Sequence, residues 1–382
     1  MAGKTMTQYP LDFQPEIWNR LTSIFQKDRI GSAYLFSGPE GSGKEAVALA
    51  FATMMNCDDA KDIPCGSCPS CIRFLSLQDE KLTLIFPLPG SEKKETKNSD
   101  PLKGLSKDEA EYLEKGIEKK AKDAFYRILI PRARQILINQ VRELRRTIFL
   151  KSTSKGRKCV LIFQAHTLAK GNAASANAIL KILEEPPPNT TIILVTDYQS
   201  QLLPTIVSRC QKIAFSPLKD GTIKSMLTAK GIEENKAHIC VQLSDGNIHQ
   251  AKYLSKQPLE DLLLQIKDFI AAMTHDDSGK WKSLTQDLSQ LARFKPEEYR
   301  LRIAMIQKWF HEAYLYRSSV KSQNILSNFS KDIYQFNQSF PNADLKGIHI
   351  SLDKIVQAPD RNFYMPLVIT TMLLDVRKYL AG

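Results

Sequence analysis

The stretch "SGPEGSGKEA" (residues 37–46) is the part of the sequence that says most about the fold. It carries the glycines and the lysine of a phosphate-binding loop, G-x-x-x-x-G-K, at Gly38, Gly41, Gly43 and Lys44. The apolar run "AYLFSG" leads into it and the helical run "KEAVALAFATMM" follows, so strand, loop and helix stand in the order that the motif requires. This context predicts that backbone N–H groups of the loop, together with Lys44, bind a phosphate at the start of a helix.

The residue after the loop lysine departs from the motif. Glu45 stands where a Ser or Thr hydroxyl would ligate Mg²⁺. Hydrolysis also needs acidic residues at the end of a second strand, but the matching strand, "KCVLIFQAHTL" (158–168), has Phe163 and Gln164 there. Phe163 cannot ligate a metal, and Gln164 is a poor general base. We therefore expect no ATP turnover, although the loop could still hold ATP or ADP without hydrolysing it.

The wider pattern indicates an α/β region followed by an all-α region. Five β-rich runs recur in the first half, with amphipathic helices between several of them: "AYLFSG" (33–38), "KLTLIFP" (81–87), "KCVLIF" (158–163), "TTIILVTD" (190–197) and "QKIAF" (211–215). Buried strands that alternate with helices predict a parallel sheet covered on both faces. A charged stretch (91–133) interrupts the pattern and is predicted to be a disordered lead-in followed by a charged helix, with no assigned chemical role.

Four of the seven cysteines crowd into one short stretch: Cys57, Cys65, Cys68 and Cys71. Four thiolates at this spacing, among turn-forming residues, are enough to close a tetrahedral Zn²⁺ site. Because four protein ligands leave no position for water, such a zinc ion would be structural. The alternative is a group of buried or free cysteines.

The charge distribution favours an anionic partner. The formal net charge is +12, and the helix "NQVRELRR" could direct Arg142, Arg145 and Arg146 against nucleic-acid phosphates without reading sequence. A solvated basic face is the alternative. The N-terminus lacks the apolar core of a signal peptide and no apolar run reaches eighteen residues, so the expectation is a cytoplasmic protein without a membrane partner.

Several blocks together resemble the bacterial DNA polymerase III clamp-loader family: the cysteine cluster, "ILINQVRELRR" (136–146), "NAILKILEEPPPNTTIILVT" (177–196) and "LPTIVSRCQKIAF" (203–215). The resemblance covers most of residues 15–255 apart from the charged stretch. It implies an AAA+ α/β domain over 1–215, with the zinc module at 57–71 and the insertion at 91–133. A helical lid over 216–257 and a helical collar for oligomerisation over 258–382 would follow.

The departures make the chain more similar to the delta-prime subunits than to the motor (gamma/tau) subunits of that family. Motor subunits carry an arginine in the lid where this sequence has His249. They also carry the catalytic groups that this sequence lacks at Glu45, Phe163 and Gln164. Ser208-Arg209-Cys210 is preserved, and the resemblance implies that Arg209 reaches a neighbouring subunit's ATP as an arginine finger. It also puts Thr196 at the sensor 1 position of the degenerate nucleotide site, with a simple strand-end cap as the alternative.

The resemblance therefore implies a non-motor clamp-loader subunit with structural zinc. Its partners would be the gamma/tau and delta subunits, the sliding clamp, and primed DNA through the assembled complex, within the nucleoid-associated replication machinery of a bacterial cytoplasm. Two alternatives stay open. One is a gamma/tau-type ATPase with an atypical Mg²⁺ site, and the other is a zinc-containing DNA-binding scaffold that keeps only the AAA+ shape.

Overall fold

A computed structural model describes residues 9–90, 100–150, 155–171, 173–274, 278–318, 329–356, 358–361 and 363–381. The chain separates into two compact units. The first comprises Met1–Met226 and Asp245–His249, and the second comprises Leu227–Ser244 and Gln250–Gly382. The three-domain division expected from the sequence, with boundaries after residues 215 and 257, stays a prediction.

A five-stranded parallel sheet forms the centre of the first unit. Its strands are β1 (Ala33–Ser37), β2 (Leu82–Ile85), β3 (Lys158–Ile162), β4 (Thr190–Thr196) and β5 (Gln211–Ala214). The order across the sheet is β2-β3-β4-β1-β5, and every neighbouring pair is parallel. The five strands lie within the five predicted runs and the phosphate loop follows β1, which confirms the predicted parallel α/β sheet.

Helices cover both faces of this sheet. They are α1 (Tyr9–Phe13), α2 (Pro15–Gln26), α3 (Lys44–Met54), α4 (Pro69–Leu75), α5 (Lys107–Lys122), α6 (Ile138–Ile148), α7 (Ala174–Glu184) and α8 (Pro204–Val207). On one face, Leu35 and Leu194 belong to a buried cluster with Ile179 of α7 and Leu144 of α6. The aromatic side chains of β1 point to the other face, where the ring of Tyr34 lies edge-on to a ring of α3 at 5.7 Å.

The strand register brings the functional segments to one edge of the sheet. Ser37 at the end of β1 pairs with Thr196 at the end of β4, and Ile162 at the end of β3 pairs with Leu194. The phosphate loop, the residue after β3 and the residue after β4 therefore lie together at the carboxyl ends of parallel strands. Ligand sites of open α/β sheets lie at this edge.

The second unit is helical throughout its described residues, as predicted. Two helices cross the division between the units, α9 (Asp220–Thr228) and α11 (Ile248–Leu254). The others are α10 (Glu234–Ser244), α12 (Leu259–Thr274), α13 (Ser278–Phe294), α14 (Pro296–Arg317), α15 (Ser330–Ser339), α16 (Leu345–Val356) and α17 (Met365–Ala381). Trp309 packs edge-on against Phe336 at 5.1 Å, which holds α15 against α14.

Among the helices in the described part of the chain, none combines the length and the apolar character that a membrane span requires.

Shortening a buried side chain of the central strand is expected to destabilise the first unit. Leu194 is fully buried in β4, so Leu194→Ala removes buried methyl groups and leaves a cavity that costs about 2–5 kcal/mol. Hydrogen exchange of the β1 and β4 amides measures this loss within the first unit alone. Leu102→Ala is the control, because Leu102 is 53% exposed. Equal amide protection in the two variants would contradict this account of the core.

Candidate functional site: a degenerate phosphate loop, a cysteine cluster and an exposed arginine

The phosphate loop keeps the backbone shape of its motif. Gly43 precedes α3 with φ of +83°, in the left-handed region. A Cβ at this position would lie 2.5 Å from a ring carbon of Phe13. Gly41 has φ of +71°, and a Cβ there would lie 2.0 Å from Oδ1 of Asn247. Both positions therefore require glycine for conformation and for space.

The loop lysine is held inside the protein rather than directed at solvent. Its ammonium forms an ion pair with Asp197, with Nζ 2.8 Å from Oδ1, and only 4% of the lysine side chain is exposed. Lys44 also donates hydrogen bonds to the carbonyl oxygen of Gly38 at 2.9 Å and to Oγ of Ser42 at 3.2 Å. Gly38, Gly41, Gly43 and Lys44 thus lie in one loop, and Lys44 is paired with a carboxylate. Their role in phosphate binding stays a prediction.

Asp197 also faces a second cation. Nη2 of Arg127 lies 3.1 Å from Oδ2 of Asp197. Burial alone would raise the pKa of Asp197, but the positive charges of Arg127 and Lys44 outweigh burial and hold this pKa below its usual range. The carboxylate is therefore ionised at neutral pH and competes with any phosphate for both cations.

One side chain contacts both positions at which the sequence lacks the expected catalytic residue. Lys120, at the end of α5, donates a hydrogen bond to Oε2 of Glu45 and lies over the ring of Phe163. Gln164 has a left-handed backbone, with φ of +52°, and its amide lies 3.5 Å from the carbonyl oxygen of Ile128. None of these contacts provides the ligands of a hydrated Mg²⁺.

Thr196 ends β4 beside the loop and is buried. Its hydroxyl lies 3.1 Å from Nδ1 of His166 and accepts a hydrogen bond from the N–H of Tyr198 at 3.0 Å. These are the contacts of a strand-end cap, the alternative that the sequence left open. His249, at the lid position, lies with Lys44 and Asp197 around the same small cavity. The roles of Thr196 and His249 stay predictions.

The four cysteines of the 57–71 loop converge. Their sulfur atoms all lie within 4.8 Å of one another, and a tetrahedral zinc site with Zn–S bonds of about 2.3 Å separates its sulfurs by about 3.8 Å. Sγ of Cys57 accepts a hydrogen bond from the N–H of Cys65, Sγ of Cys65 accepts one from Cys68, and Sγ of Cys68 accepts one from Cys71. The donor set fits a structural Zn²⁺ with no open coordination position.

The thiol pKa values within this cluster differ. The N–H groups of Ser67 and Cys68 stabilise the thiolate of Cys65 and lower its pKa to about 6, whereas burial raises the pKa of Cys57 and of Cys71. A cation is needed to hold four thiolates in this space, because their mutual repulsion and partial burial oppose ionisation of the whole set.

Arg209 lies directly before β5, at the surface of the first unit. Its guanidinium forms an ion pair with Glu184 at the end of α7, with Nη2 2.7 Å from Oε1, and donates to the carbonyl oxygen of Thr205 at 2.9 Å. About a third of the arginine side chain and nearly half of the glutamate side chain are exposed. The pair is therefore solvent-screened and exchangeable.

The basic helix α6 divides into two faces. Val141 and Leu144 are buried against the sheet, whereas Arg142, Arg145 and Arg146 are exposed. Arg146 pairs with Glu143 at 2.9 Å. This exposed basic face could bind a polyanion such as nucleic acid. It is equally compatible with the alternative, a solvated basic surface.

Sequence reasoning missed three charged residues of this site. Asp197 was visible as the last residue of the run "TTIILVTD", but nothing in that run indicated that it would pair with Lys44. Lys120 and Arg127 lie in the charged stretch 91–133, where no motif or spacing distinguishes them from their charged neighbours. Residues 91–99 of that stretch, predicted as a disordered lead-in, lie outside the described residues.

Comparison with known proteins gives one family. The family model for "DNA polymerase III, delta subunit" matches residues 13–219. The DNA polymerase III subunit delta' of Bacillus subtilis is 28% identical over 245 residues, covering 64% of this chain and 60% of that protein. The delta' subunit of Haemophilus influenzae is 26% identical over 274 residues, covering 66% of this chain and 70% of that protein.

A motor-type relative also matches. The DNA polymerase III subunit tau of Bacillus subtilis is 26% identical over 253 residues, covering 64% of this chain and 36% of that protein. The matched region thus spans less than two thirds of either Bacillus subtilis protein.

Replacement of one clustered cysteine is expected to remove the metal. The purified protein should hold about one zinc ion per chain, because four thiolates complete a tetrahedral site. Cys65→Ser should lose this zinc and lower the thermal unfolding temperature, as measured by elemental analysis and circular dichroism. Cys240→Ser, at a buried cysteine outside the cluster, is the control. Retention of stoichiometric zinc by Cys65→Ser would exclude the cluster as the metal site.

Stability is expected to fall as the pH decreases from about 6.5 towards 4. Burial lowers the pKa of His166 to about 4, although the charge of Asp197 acts in the opposite direction. The unfolded state, with a histidine pKa of about 6.5, therefore binds a proton in this window that the folded state does not, which costs up to about 3 kcal/mol of stability. Thermal unfolding across this window should show a steeper loss for the wild type than for His166→Gln. Parallel pH profiles would contradict the role of His166.

Proposed function

The chain belongs to the DNA polymerase III delta subunit family, and from this membership we propose that it is a non-motor, delta-prime-like subunit of a clamp loader. It does not hydrolyse ATP itself. It supplies Arg209 to the ATP bound by a neighbouring motor subunit and thereby helps to load the sliding clamp onto primed DNA. The observation that carries this proposal is the contrast between a phosphate loop that lacks its catalytic groups and an arginine that remains exposed.

The loop supports the non-motor half of the proposal. An ATPase of this class needs a hydroxyl beside the loop lysine and acidic residues after the second strand to hold the hydrated metal and the attacking water. In this chain Glu45 and Phe163 contact a lysine ammonium instead, and Lys44 is paired with Asp197. Within the described part of the chain, the ammonium groups of Lys44 and Lys120 at the loop are thus already engaged by carboxylates.

The exposed arginine supports the second half. Glu184 and Thr205 hold the guanidinium of Arg209 at the surface, where phosphate oxygens of an incoming nucleotide could replace the carboxylate. A guanidinium supplied from a neighbouring subunit neutralises the charge that develops on the transferred phosphoryl group. Such arginine fingers contribute about 10³–10⁵ in rate.

The remaining roles follow from the same assignment. The gamma/tau and delta subunits are the protein partners, and the helical region 258–382 acts as the collar through which they assemble. The exposed arginines of α6 contact DNA phosphates in the assembled complex, and zinc at the four cysteines stabilises the 57–71 loop. The site of action is the replication machinery in the bacterial cytoplasm.

The similarity to tau makes a motor subunit the second candidate function. It would require ATP and Mg²⁺ at Lys44, and it predicts turnover by the isolated, metal-loaded protein. The ion pair of Lys44 with Asp197 opposes this candidate, because both phosphate and metal would have to displace it.

Removal of the exposed guanidinium is expected to slow ATP hydrolysis by the neighbouring subunits. In a complex of this protein with its motor and delta subunits on primed DNA, Arg209→Ala should lower turnover by at least about tenfold, given the usual contribution of arginine fingers. ATP turnover of the reconstituted complex is the measurement, with gel filtration to establish equal assembly.

Lys212→Ala is the matched control, because Lys212 is a nearby exposed cation on β5. Its complex should retain wild-type turnover. Normal turnover in an assembled Arg209→Ala complex would refute the arginine-finger role.

A further inference from the structure

The charged segment between β2 and β3 includes an ordered helix followed by a turn. α5 begins with a reciprocal cap, in which Ser106 accepts from the N–H of Glu109 and Glu109 accepts from the N–H of Ser106. After the helix, Asp123 accepts a hydrogen bond from the N–H of Phe125 at 3.0 Å. The cap and the turn mark the two ends of the helix. We call residues 106–127, the helix together with the turn that follows it, the inserted arm.

The arm inserts a buried ammonium beside the phosphate loop. Lys120 is fully buried. Its ammonium donates to Oε2 of Glu45 and to the carbonyl oxygen of Ala124 at 3.0 Å, and it lies 4.8 Å from the ring centroid of Phe163. A buried charge is tolerated only when it is paired and hydrogen-bonded, and an aromatic face adds to that stabilisation.

These partners are the two residues at which the loop departs from an ATPase. Glu45 replaces the hydroxyl that would ligate Mg²⁺, and Phe163 replaces an acid that would hold the metal. Each replacement alone only removes a metal ligand. Together they supply a carboxylate and a ring face to one cation, so the departures form a binding site for Lys120.

A second cation of the arm spans the loop. The guanidinium of Arg127 pairs with Glu40, within the phosphate loop, and with Asp197 after β4. Asp197 in turn holds Lys44. Among the described residues, these contacts join three cations to three carboxylates, so each of these cations already has a carboxylate partner.

The arm also fills the space above the loop. Phe125 packs edge-on against Phe13 at 4.8 Å, and one of its ring carbons would lie 3.2 Å from a Cβ placed on Gly43. Three residues of the arm, Ala124, Phe125 and Arg127, line the remaining pocket together with Gly43 and Lys44. The arm therefore occupies space beside the loop in which a bound nucleotide would lie.

We propose that the phosphate loop is a binding site for the chain's own inserted arm, with Lys120 and Arg127 as the ligand groups, and that the docked arm excludes ATP and ADP. The loop then forms an intramolecular contact that holds the arm against the end of the sheet. Exclusion of nucleotide from this loop and an arginine-finger role of Arg209 are independent proposals. Either can be correct if the other is wrong.

Nucleotide exclusion is tested by titration of the whole protein with a fluorescent ATP analogue and Mg²⁺, followed by anisotropy. No saturable binding is expected up to about 1 mM, the affinity of a very weak site. Lys44→Ala identifies any signal that comes from elsewhere on the protein. Saturable binding with a tighter Kd that is abolished in Lys44→Ala would overturn the proposal.

Docking of the arm is tested by hydrogen exchange on the wild-type protein. The amides of α5 and of residues 124–128 are expected to exchange as slowly as those of α3, because the arm is held by buried charges. Addition of MgATP should leave this protection unchanged. Rapid exchange along α5 would overturn the proposal, as would release of the arm by MgATP.

The specific pair is tested by a double-mutant cycle. Glu45→Gln and Lys120→Met should each lower the thermal unfolding temperature by at least about 5 °C, because removal of one partner strands the other charge. The double variant should recover more than half of that loss, since both charges are gone. Lys115→Met, on the exposed face of α5 where Lys115 pairs with Glu111, should change it by less than about 2 °C.

Additive losses in the double variant would overturn the Glu45–Lys120 contact. Equal effects of Lys115→Met and Lys120→Met would do the same. If either single variant fails to fold, the hydrogen exchange of the wild type still decides whether the arm is docked.

Discussion

The ion pair between Lys44 and Asp197 joins the first turn of α3 to the end of β4, and the arrangement of the site depends on it. The parallel register of β1 and β4 brings these two segments side by side, and burial makes an unpaired charge at either residue costly. With Lys44 paired to this carboxylate, the loop keeps the shape of its motif while its lysine ammonium is already engaged. The same carboxylate also orients Arg127, so one interaction fixes both the loop and the segment above it.

Two arginines of the first unit illustrate how burial separates roles. Arg127 is mostly buried between two carboxylates, with 16% of its side chain exposed, whereas Arg209 is 36% exposed and has one exposed carboxylate partner. A buried, doubly paired guanidinium holds structure, because moving it would leave charges unpaired. A surface guanidinium loses little when water or another anion replaces its partner. The role proposed for Arg209 needs this exposure, which Arg127 lacks.

The cysteine loop follows the carboxyl end of α3, whereas the phosphate loop precedes the amino end of this helix. The cysteine loop connects α3 to α4, a helix of seven residues that is too short to be stable by itself. Sulfur atoms accept three backbone N–H groups within the loop, and the indole of Trp18 donates to the carbonyl oxygen of Asp62 at 2.9 Å. Metal binding would add coordination bonds to a segment with little apolar surface of its own.

Features that depend on local pattern could be predicted from the sequence. Period and apolar runs marked all five strands, the glycines and Lys44 marked the loop, and spacing marked the four cysteines that the fold brings together. The departures from the ATPase pattern at Glu45 and Phe163 were also visible in the sequence, because each position is defined by its distance from a motif. What these residues contact instead depends on tertiary packing. Lys120 lies 75 positions from Glu45 in the chain, and long-range pairs of charged side chains carry no local periodicity. Only the packing of the inserted arm against the end of the sheet selected Lys120 and Arg127 from a segment in which many neighbours bear the same charge.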